Sequence, residues 1–581
     1  MGTRMNSGDM ANQEGTNIVI IGGVAGGASA AARARRCNAT ARITILEKGP
    51  DISFANCGLP YHLGGEIQQR SKLLVATREL FWNRFRIDVR TGTEAIRIDR
   101  QKKEIEVRSA TGEPLPSIPY DRLVLATGAQ PRRPAFWRDA PNLFHLWTLE
   151  DLDRILAWIQ AGKIQRVAVV GAGFVGLEVV EQLSRLGIQV DLIENAPQVL
   201  APIDPCFAKA IESHLTDHQV GVHLGSAVQS LVPAAGPIER VVLQDGQEIQ
   251  ADLVLVGAGV QPRIELATEA GLTLGPSGGV AVNRFGQTSD PLIYAVGDMA
   301  ESLHAVTGRP VRAGLAGPAN RAGRIAGQHA ATGASTQQGE VLGTAIVRVF
   351  DLTVGCTGLN QRQLKAEGIP YRSVLIQSAH HASYYPGAKP LEVELLYAPQ
   401  TGKLLGAQAL GEQGVDKRID IAATTLHFGG TIYDLAQLDL AYAPPFGSAK
   451  DPIHMAAFAA CNDLAGAPHL VPADADLSGD LQVVDVRTEQ ERAALPLQGA
   501  IGIPIDSLHD RWMELNPQRP TVVVCHSGKR AHVGACLLQG VGFSDVRNLN
   551  GGMSLRSRVI AKTPPTQVAQ STVVPPSGRV S

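Results

Sequence analysis

Two cysteines lie in settings that could make their sulfurs reactive. Cys57 falls within SFANCGLPY, from Ser53 to Tyr61, ahead of Gly58, Leu59 and Pro60 in a sequence able to open a helix. A thiol at a helix N-terminus meets the positive end of the helix dipole, so its pKa is expected to be lowered towards neutrality. No second cysteine stands beside it: the two preceding positions of interest are Ile52 and Ser53, and the nearest other cysteine is Cys37. A dithiol mechanism is therefore excluded here, and any redox chemistry must run on one sulfur. Taken alone, such a cysteine is more often inert core than nucleophile.

Cys525 ends the strand-like run TVVVC that starts at Thr521, and His526, Ser527, Gly528, Lys529 and Arg530 follow before a helical pattern from Ala531. A strand that delivers a cysteine into a short loop at a helix start is expected to ring the sulfur with backbone N–H groups. Such a ring stabilises a thiolate or a persulfide anion. Gly528 permits the tight path, and Arg530 with Lys529 adds positive charge. Cys37, Cys206, Cys356, Cys461 and Cys536 fit no such setting and are expected to be structural. No cysteine pair has CxxC spacing, and no metal site is expected.

The second chemical feature is a pair of glycine turns between strand and helix patterns. Asn17 to Ile21 reads as a buried strand, Gly22-Gly23-Val24-Ala25-Gly26-Gly27 as a turn, Ala28 to Arg36 as a helix, and Ala41 to Leu46 as a second strand ending in Glu47. The pattern returns with Arg166 to Val170, the loop with Gly171, Gly173 and Gly176, a helix to Leu186, and a strand to Ile193 ending in Glu194. Glycines there let the helix N-terminus and its free N–H groups approach a pyrophosphate, and the acid accepts hydrogen bonds from a ribose. The first copy departs from GxGxxG, because Val24 occupies the second glycine position, yet Gly23, Gly26 and Gly27 still allow close approach. Two nucleotide units in one chain point to an electron relay from a nicotinamide to a bound flavin. Glu194 is followed by Asn-Ala-Pro-Gln with no Arg or Lys, so a free 2′-hydroxyl is welcome and a 2′-phosphate is repelled; NADH is favoured over NADPH.

These loops need rigid α/β units to carry them. The chain has 581 residues, so three or four domains are expected. Strand-like runs end in turns at Gly128, Gly257 and Asp298, and beyond about residue 340 the dinucleotide pattern is gone. Its 53 Lys+Arg against 55 Asp+Glu leave no basic footprint for nucleic acid. The uncharged stretch Ile18 to Ala32 is glycine-broken and shorter than the roughly 20 residues of a membrane span. The polar start has no apolar signal core, so a soluble, cytoplasmic protein is expected.

SFANCGLPY, the GGVAGG loop, Ala126-Thr-Gly-Ala129, Ala295-Val-Gly-Asp298 and Leu315-Ala-Gly-Pro-Ala-Asn-Arg-Ala-Gly-Arg324 together resemble the single-cysteine branch of the pyridine nucleotide–disulfide oxidoreductases. Within it the likeness is to the coenzyme A-disulfide reductases, and Gly343 to Asp351, Tyr384-Tyr-Pro-Gly387 and Leu440 to Phe446 agree with it. The likeness covers roughly residues 15–462. It implies FAD on the first unit, with Glu47 on the adenosine ribose, Asp298 near the ribityl chain, and Lys48, Thr127 and Gly128 among the cofactor-binding residues. It also implies a homodimer, in which Tyr442 and Tyr384, the latter favoured over Tyr385, reach the partner's cysteine. Coenzyme A would be held through Arg36, Ser53 and Asn56, with Arg33 as a further candidate; guanidinium forks suit phosphates. His380 and His381 are read as surface-loop histidines.

Val483-Val-Asp-Val-Arg487, the Cys525 loop and Gly551-Gly-Met553 resemble a single-domain rhodanese, with four residues between Cys525 and Arg530 where related phosphatases have five. The expected layout is an FAD-binding domain at 16–148 and 281–338, an NAD(H)-binding domain at 149–280, and an α+β dimerisation domain at 339–462. A linker at 463–479 and a rhodanese-like α/β domain at 480–561 follow, with disordered ends at 1–15 and 562–581. The function expected is NADH-dependent reduction of coenzyme A persulfide, polysulfide or coenzyme A disulfide, with Cys525 shuttling sulfane sulfur and Arg530 binding substrate. The rival readings are an NADH oxidase or peroxidase cycling Cys57 through sulfenic acid, and a sulfur-carrier or redox-sensing protein.

Overall fold

The computed structural model describes residues 15–162, 164–234 and 236–560, and divides the chain into two compact units that part between Cys461 and Asn462. The expected disordered ends lie outside the described residues, Gly15 excepted.

In the first unit, β1 (Asn17–Ile21) runs into α1 (Ala25–Cys37) and β2 (Arg42–Leu46), and Cys57 precedes the short helix α2 (Leu59–Leu63). Strands β3 (Asp88–Arg90) and β4 (Arg122–Leu125) follow. The second dinucleotide segment contributes β5 (Leu143–Phe144), β6 (Arg166–Val170), α3 (Phe174–Arg185), β7 (Gln189–Glu194), α4 (Pro205–Asp217), β8 (Gly221–Leu224) and β9 (Leu253–Val256). The chain then returns through β10 (Ile293–Ala295) and α5 (Ala316–Thr332). Two parallel five-stranded sheets result, in the orders β10-β4-β1-β2-β3 and β8-β7-β6-β9-β5. Their central strands are apolar on both faces, as sheets covered on both sides require.

The small-residue composition of α1 has a packing cause. Helix α5 crosses it so closely that a Cβ on Gly323 would lie 2.1 Å from the Gly26 carbonyl oxygen, and one on Gly327 2.2 Å from that of Ala30. Backbone on backbone at that distance leaves no room for side chains at the crossing, so the two segments of the first domain lock through glycine and alanine.

Beyond the dinucleotide segments, the first unit carries a five-stranded antiparallel sheet of β11 (Ala345–Val349), β12 (Leu352–Gly358), β13 (Arg372–Ala379), β14 (Pro390–Tyr397) and β15 (Leu404–Gly411), in the order β11-β12-β15-β14-β13. Helix α6 (Val415–His427) packs on it, and the boundary between the units falls within the last turn of α7 (Pro452–Leu464). His380 and His381, expected at the surface, are buried at 7 % and 4 % exposure. The His380 carbonyl accepts a 2.8 Å hydrogen bond from Arg418, itself buried and paired with Asp451, so this loop is anchored rather than solvated.

The second unit is a parallel sheet of β16 (His469–Val471), β17 (Gln482–Asp485), β18 (Ile501–Gly502), β19 (Thr521–Val524) and β20 (Val546–Leu549), in the order β16-β20-β19-β17-β18, with α8 (Lys529–Gly540) and α9 (Gly552–Ile560). Strand β16 pairs with β20 and so draws part of the segment expected as linker, 463–479, into the sheet. Its three residues are too short a run to stand out in a stretch rich in Pro, Ala and Asp.

Candidate functional site

The two glycine loops are built alike. Gly22 has φ +97° and a Cβ there would lie 2.2 Å from the Ala126 carbonyl oxygen; Gly171 has φ +108° and its Cβ would lie 2.4 Å from that of Gly257. The last glycines match too, with Cβ atoms on Gly27 and Gly176 falling 1.8 and 1.9 Å from the oxygens of Gly22 and Gly171. The middle position is different. A Cβ on Gly173 meets nothing within 4 Å, and Val24 holds the corresponding place at φ −81° as N-cap of α1. The fold demands no glycine there, which explains why Val24 is tolerated.

The acids close each loop in the same way. Glu47 accepts hydrogen bonds from the Gly23 N–H at 2.8 Å and the Gly49 N–H at 2.9 Å, and Glu194 from the Ala172 N–H at 2.7 Å and the Ala196 N–H at 2.8 Å. Each carboxylate is oriented by two backbone donors and keeps lone pairs for a ribose. Around the first loop, Gly128 sits at φ +66°, and Thr127 donates to the Arg263 carbonyl at 2.7 Å. Lys48, expected at the cofactor, has its amine on Glu94 at 2.6 Å. Burial pushes the Asp298 carboxyl above its ordinary pKa, against the Arg312 guanidinium, which lowers it. The glycine cradles and oriented acids fit two dinucleotides.

Cys57 lies in a short 3-10 turn, Asn56–Gly58, that leads directly into α2, and its side chain is exposed. The helix start was expected to lower its pKa. Instead the thiol is raised, first by partial burial, then by the Glu178 carboxylate, with Asp298 adding to it against a backbone hydrogen bond that lowers it. Negative charge facing the sulfur outweighs the short turn. Glu178 belongs to α3, the helix after the second glycine loop, and accepts a 3.0 Å hydrogen bond from the Tyr61 hydroxyl. Burial raises the Glu178 carboxyl as well, and holds the Tyr61 hydroxyl above its ordinary value with Glu178 as the next cause. Sequence reasoning missed Glu178; its signal is its place two residues beyond Gly176.

The candidate substrate residues divide. Ser53 is buried with φ 52°, and its N–H donates to Gly23 O at 3.0 Å, tying the cysteine segment to the first loop. The Asn56 amide donates to Trp147 O at 3.3 Å. Arg33 donates to the Gln328 side chain at 2.6 Å, whereas Arg36 is exposed and lies over the Phe85 ring at 5.3 Å. Tyr384 and Tyr442 are 74 % and 47 % exposed with hydroxyls 2.9 Å apart, while Tyr385 turns its ring edge-on to His381. Tyr384, not Tyr385, is thus the neighbour of Tyr442 within the chain.

In the second unit, Cys525 is buried at the end of β19 and its sulfur accepts a 3.1 Å hydrogen bond from the Gly528 N–H, with Gly528 at φ +87°. The expected ring of donors is one described N–H. Arg530 is forked onto Glu491 at 2.6 and 2.8 Å and also interacts with Cys525; the pair holds the Glu491 carboxyl down to about 2. Behind it, Asp485 and Arg487 form a fully buried ion pair at 2.7 Å.

These features define a flavin- and nicotinamide-dependent enzyme, and the comparisons agree. The chain belongs to the pyridine nucleotide-disulphide oxidoreductase family: residues 16–334 match the model of that family, 344–452 its dimerisation domain, and 473–555 a rhodanese-like domain. It carries that family's cofactor chemistry, FAD and NAD(H). A coenzyme A disulfide reductase of Staphylococcus aureus is 32 % identical over 443 residues, covering 76 % of this chain and 99 % of the relative. The solved reduced CoADR-RHD of Bacillus anthracis is 41 % identical, with a TM-score of 0.90 over 94 % of this chain and 98 % of its own. A NAD-dependent persulfide reductase from A. fulgidus is 36 % identical, with a TM-score of 0.87 over 93 % of this chain and 100 % of its own. No helix among the described residues is long and apolar enough to cross a membrane.

Proposed function

We propose that this chain is an NADH-dependent reductase of coenzyme A persulfide, polysulfide and coenzyme A disulfide, working as a cytoplasmic homodimer, with a rhodanese-like unit that carries sulfane sulfur on Cys525. The observation that carries the reading is that all seven cysteines are free, so Cys57, read here as the redox thiol, has no cysteine to pair with. A substrate must then supply the other half of the disulfide.

With coenzyme A persulfide, the Cys57 thiolate attacks the sulfur bonded to coenzyme A and breaks the sulfur–sulfur bond. Hydrosulfide leaves, and a Cys57–coenzyme A mixed disulfide remains. FAD, which the first glycine loop and Glu47 would hold, would supply the electron pair from NADH that returns Cys57 to the thiolate and frees coenzyme A as its thiol. Tyr384 and Tyr442, joined through their hydroxyls, are the proton donors to the departing coenzyme A sulfur across the dimer. Arg36, exposed at the end of α1, Ser53 and Asn56 hold the coenzyme A chain; Glu47 and Glu194 hold the two riboses. Arg530 balances the charge of a persulfide on Cys525.

The test is anaerobic NADH consumption with coenzyme A persulfide, coenzyme A disulfide or polysulfide, following sulfide release. Rapid turnover that falls at least about a thousandfold in Cys57→Ser is expected. Turnover only after air is admitted would assign the chain to the oxidases instead.

A further inference from the structure

We propose that His214, His218 and Asp351 form a binding site for a divalent transition metal of the zinc class, bridging the second dinucleotide segment and the dimerisation sheet. His214 is in the last turn of α4 and His218 caps that helix, so the two side chains share a face at a spacing of four. Asp351 lies in the turn between β11 and β12, directly after Phe350, which adopts the left-handed φ of 58°. The three ligand atoms all lie within 4.8 Å of one another.

Three details favour a shared ion over a chance cluster. The His218 Nδ1 donates to the His214 carbonyl at 2.9 Å, and since a carbonyl only accepts, the proton is on Nδ1 and the Nε2 lone pair is free for a metal. The His214 Nε2 is 2.7 Å from the Asp351 Oδ1, yet it is buried and has no hydrogen-bond partner. That nitrogen is left beside a carboxylate oxygen without an aligned hydrogen bond, a contact that a cation shared by the two atoms would satisfy. Finally, the Phe350 ring stacks on His218 at 3.9 Å and meets His214 edge-on at 6.1 Å, which holds both imidazoles in place.

The donor set selects the ion. Two imidazoles and a carboxylate suit zinc, cobalt or nickel rather than calcium or magnesium. Ligands at about 2.0–2.1 Å from a tetrahedral zinc stand roughly 3.3–3.4 Å apart. Asp351, with its side chain 65 % exposed on a turn, has the freedom to adjust to that spacing. The Lys389 amine also feels Asp351, but it is already paired with Glu412 at 2.7 Å. None of the three residues belongs to the groups that face Cys57.

The experiment uses the full-length flavoprotein carrying Cys57→Ser and Cys525→Ser, which removes the two reactive thiols as competing ligands. Equilibrium dialysis against zinc should give one ion per chain, with affinity lowered about tenfold or more by His218→Ala and, separately, by Asp351→Asn on the exposed turn. Zinc-edge X-ray absorption should show a nitrogen and oxygen shell at about 2.0–2.1 Å without a sulfur shell near 2.3 Å. Zinc should raise the thermal midpoint of the parent protein and not of Asp351→Asn. Equal affinity in the parent and both variants, or a sulfur shell, would overturn the proposal.

Discussion

Glu178 and Tyr61 are 117 residues apart in the chain and joined by a hydrogen bond of 3.0 Å. Tyr61 is in the helix that Cys57 introduces, and Glu178 is in the helix that the second glycine loop introduces. The bond therefore ties the Cys57 segment to the helix of the second glycine loop, and it holds there a carboxylate whose charge acts on the thiol.

That carboxylate disfavours the Cys57 thiolate, so removing its charge must lower the thiol's pKa. In Glu178→Gln the amide oxygen still accepts from Tyr61 while the charge is gone. The rate of Cys57 alkylation by iodoacetamide should rise several-fold at neutral pH, and its pH profile should move to lower pH. A purely structural Glu178 would leave the profile where it is.

Arg530 makes a two-pronged contact with Glu491 that an ammonium cannot reproduce. Arg530→Lys is expected to slow transfer of sulfur from thiosulfate to cyanide roughly tenfold, since the charge beside Cys525 is no longer oriented. NADH-dependent reduction of coenzyme A disulfide should be unaffected by the same change. Thiocyanate formation and NADH absorbance, read on one preparation, check both halves; equal loss of the two activities would count against independent chemistry at Cys525 and Cys57.

Asp204, at the start of α4, and Glu394, in β14, are both buried and share Gln408, which donates to each. Burial raises both carboxyls, and Asp204 is the next cause for Glu394, which is raised well above its ordinary value. The folded state thus binds more protons than the unfolded chain between the ordinary carboxyl range and the raised values. Their contribution is greatest in acid and is lost as pH rises through that window, opposite in sign to a salt-bridged acid. Across this window the thermal midpoint should decline with rising pH, and Glu394→Gln should flatten the decline whatever its absolute midpoint. An unchanged slope in the variant would remove this pair as the cause.

Much of the machinery is legible in the sequence because it is local. A strand, a glycine turn, a helix and an acid one strand later are consecutive in the chain, and Gly22, Gly27, Gly171 and Gly176 are dictated by backbone lying 1.8–2.4 Å from a would-be Cβ. Glu47 and Glu194 each reach back to their own loops. Cys57 and Cys525 likewise announce themselves by the residues beside them, and Val24 departs from the pattern at a place where, in the second loop, a Cβ on Gly173 would meet nothing. The class of enzyme follows from these local patterns alone.

What only the tertiary structure decided depends on distant residues meeting. Desolvation and the charges of Glu178 and Asp298 set the direction of the Cys57 pKa, and neither can be summed without knowing who fills the space around the sulfur. Packing chose Tyr384 over Tyr385 as the partner of Tyr442, and the buried Arg418–Asp451 pair drew His380 inward. The same is true of His214, His218 and Asp351: the helix spacing of the histidines is visible in the chain, but the carboxylate that joins them arrives from another sheet. Residues close in sequence share a backbone geometry that local sterics determine, whereas those that meet across the fold are brought together by burial of the whole.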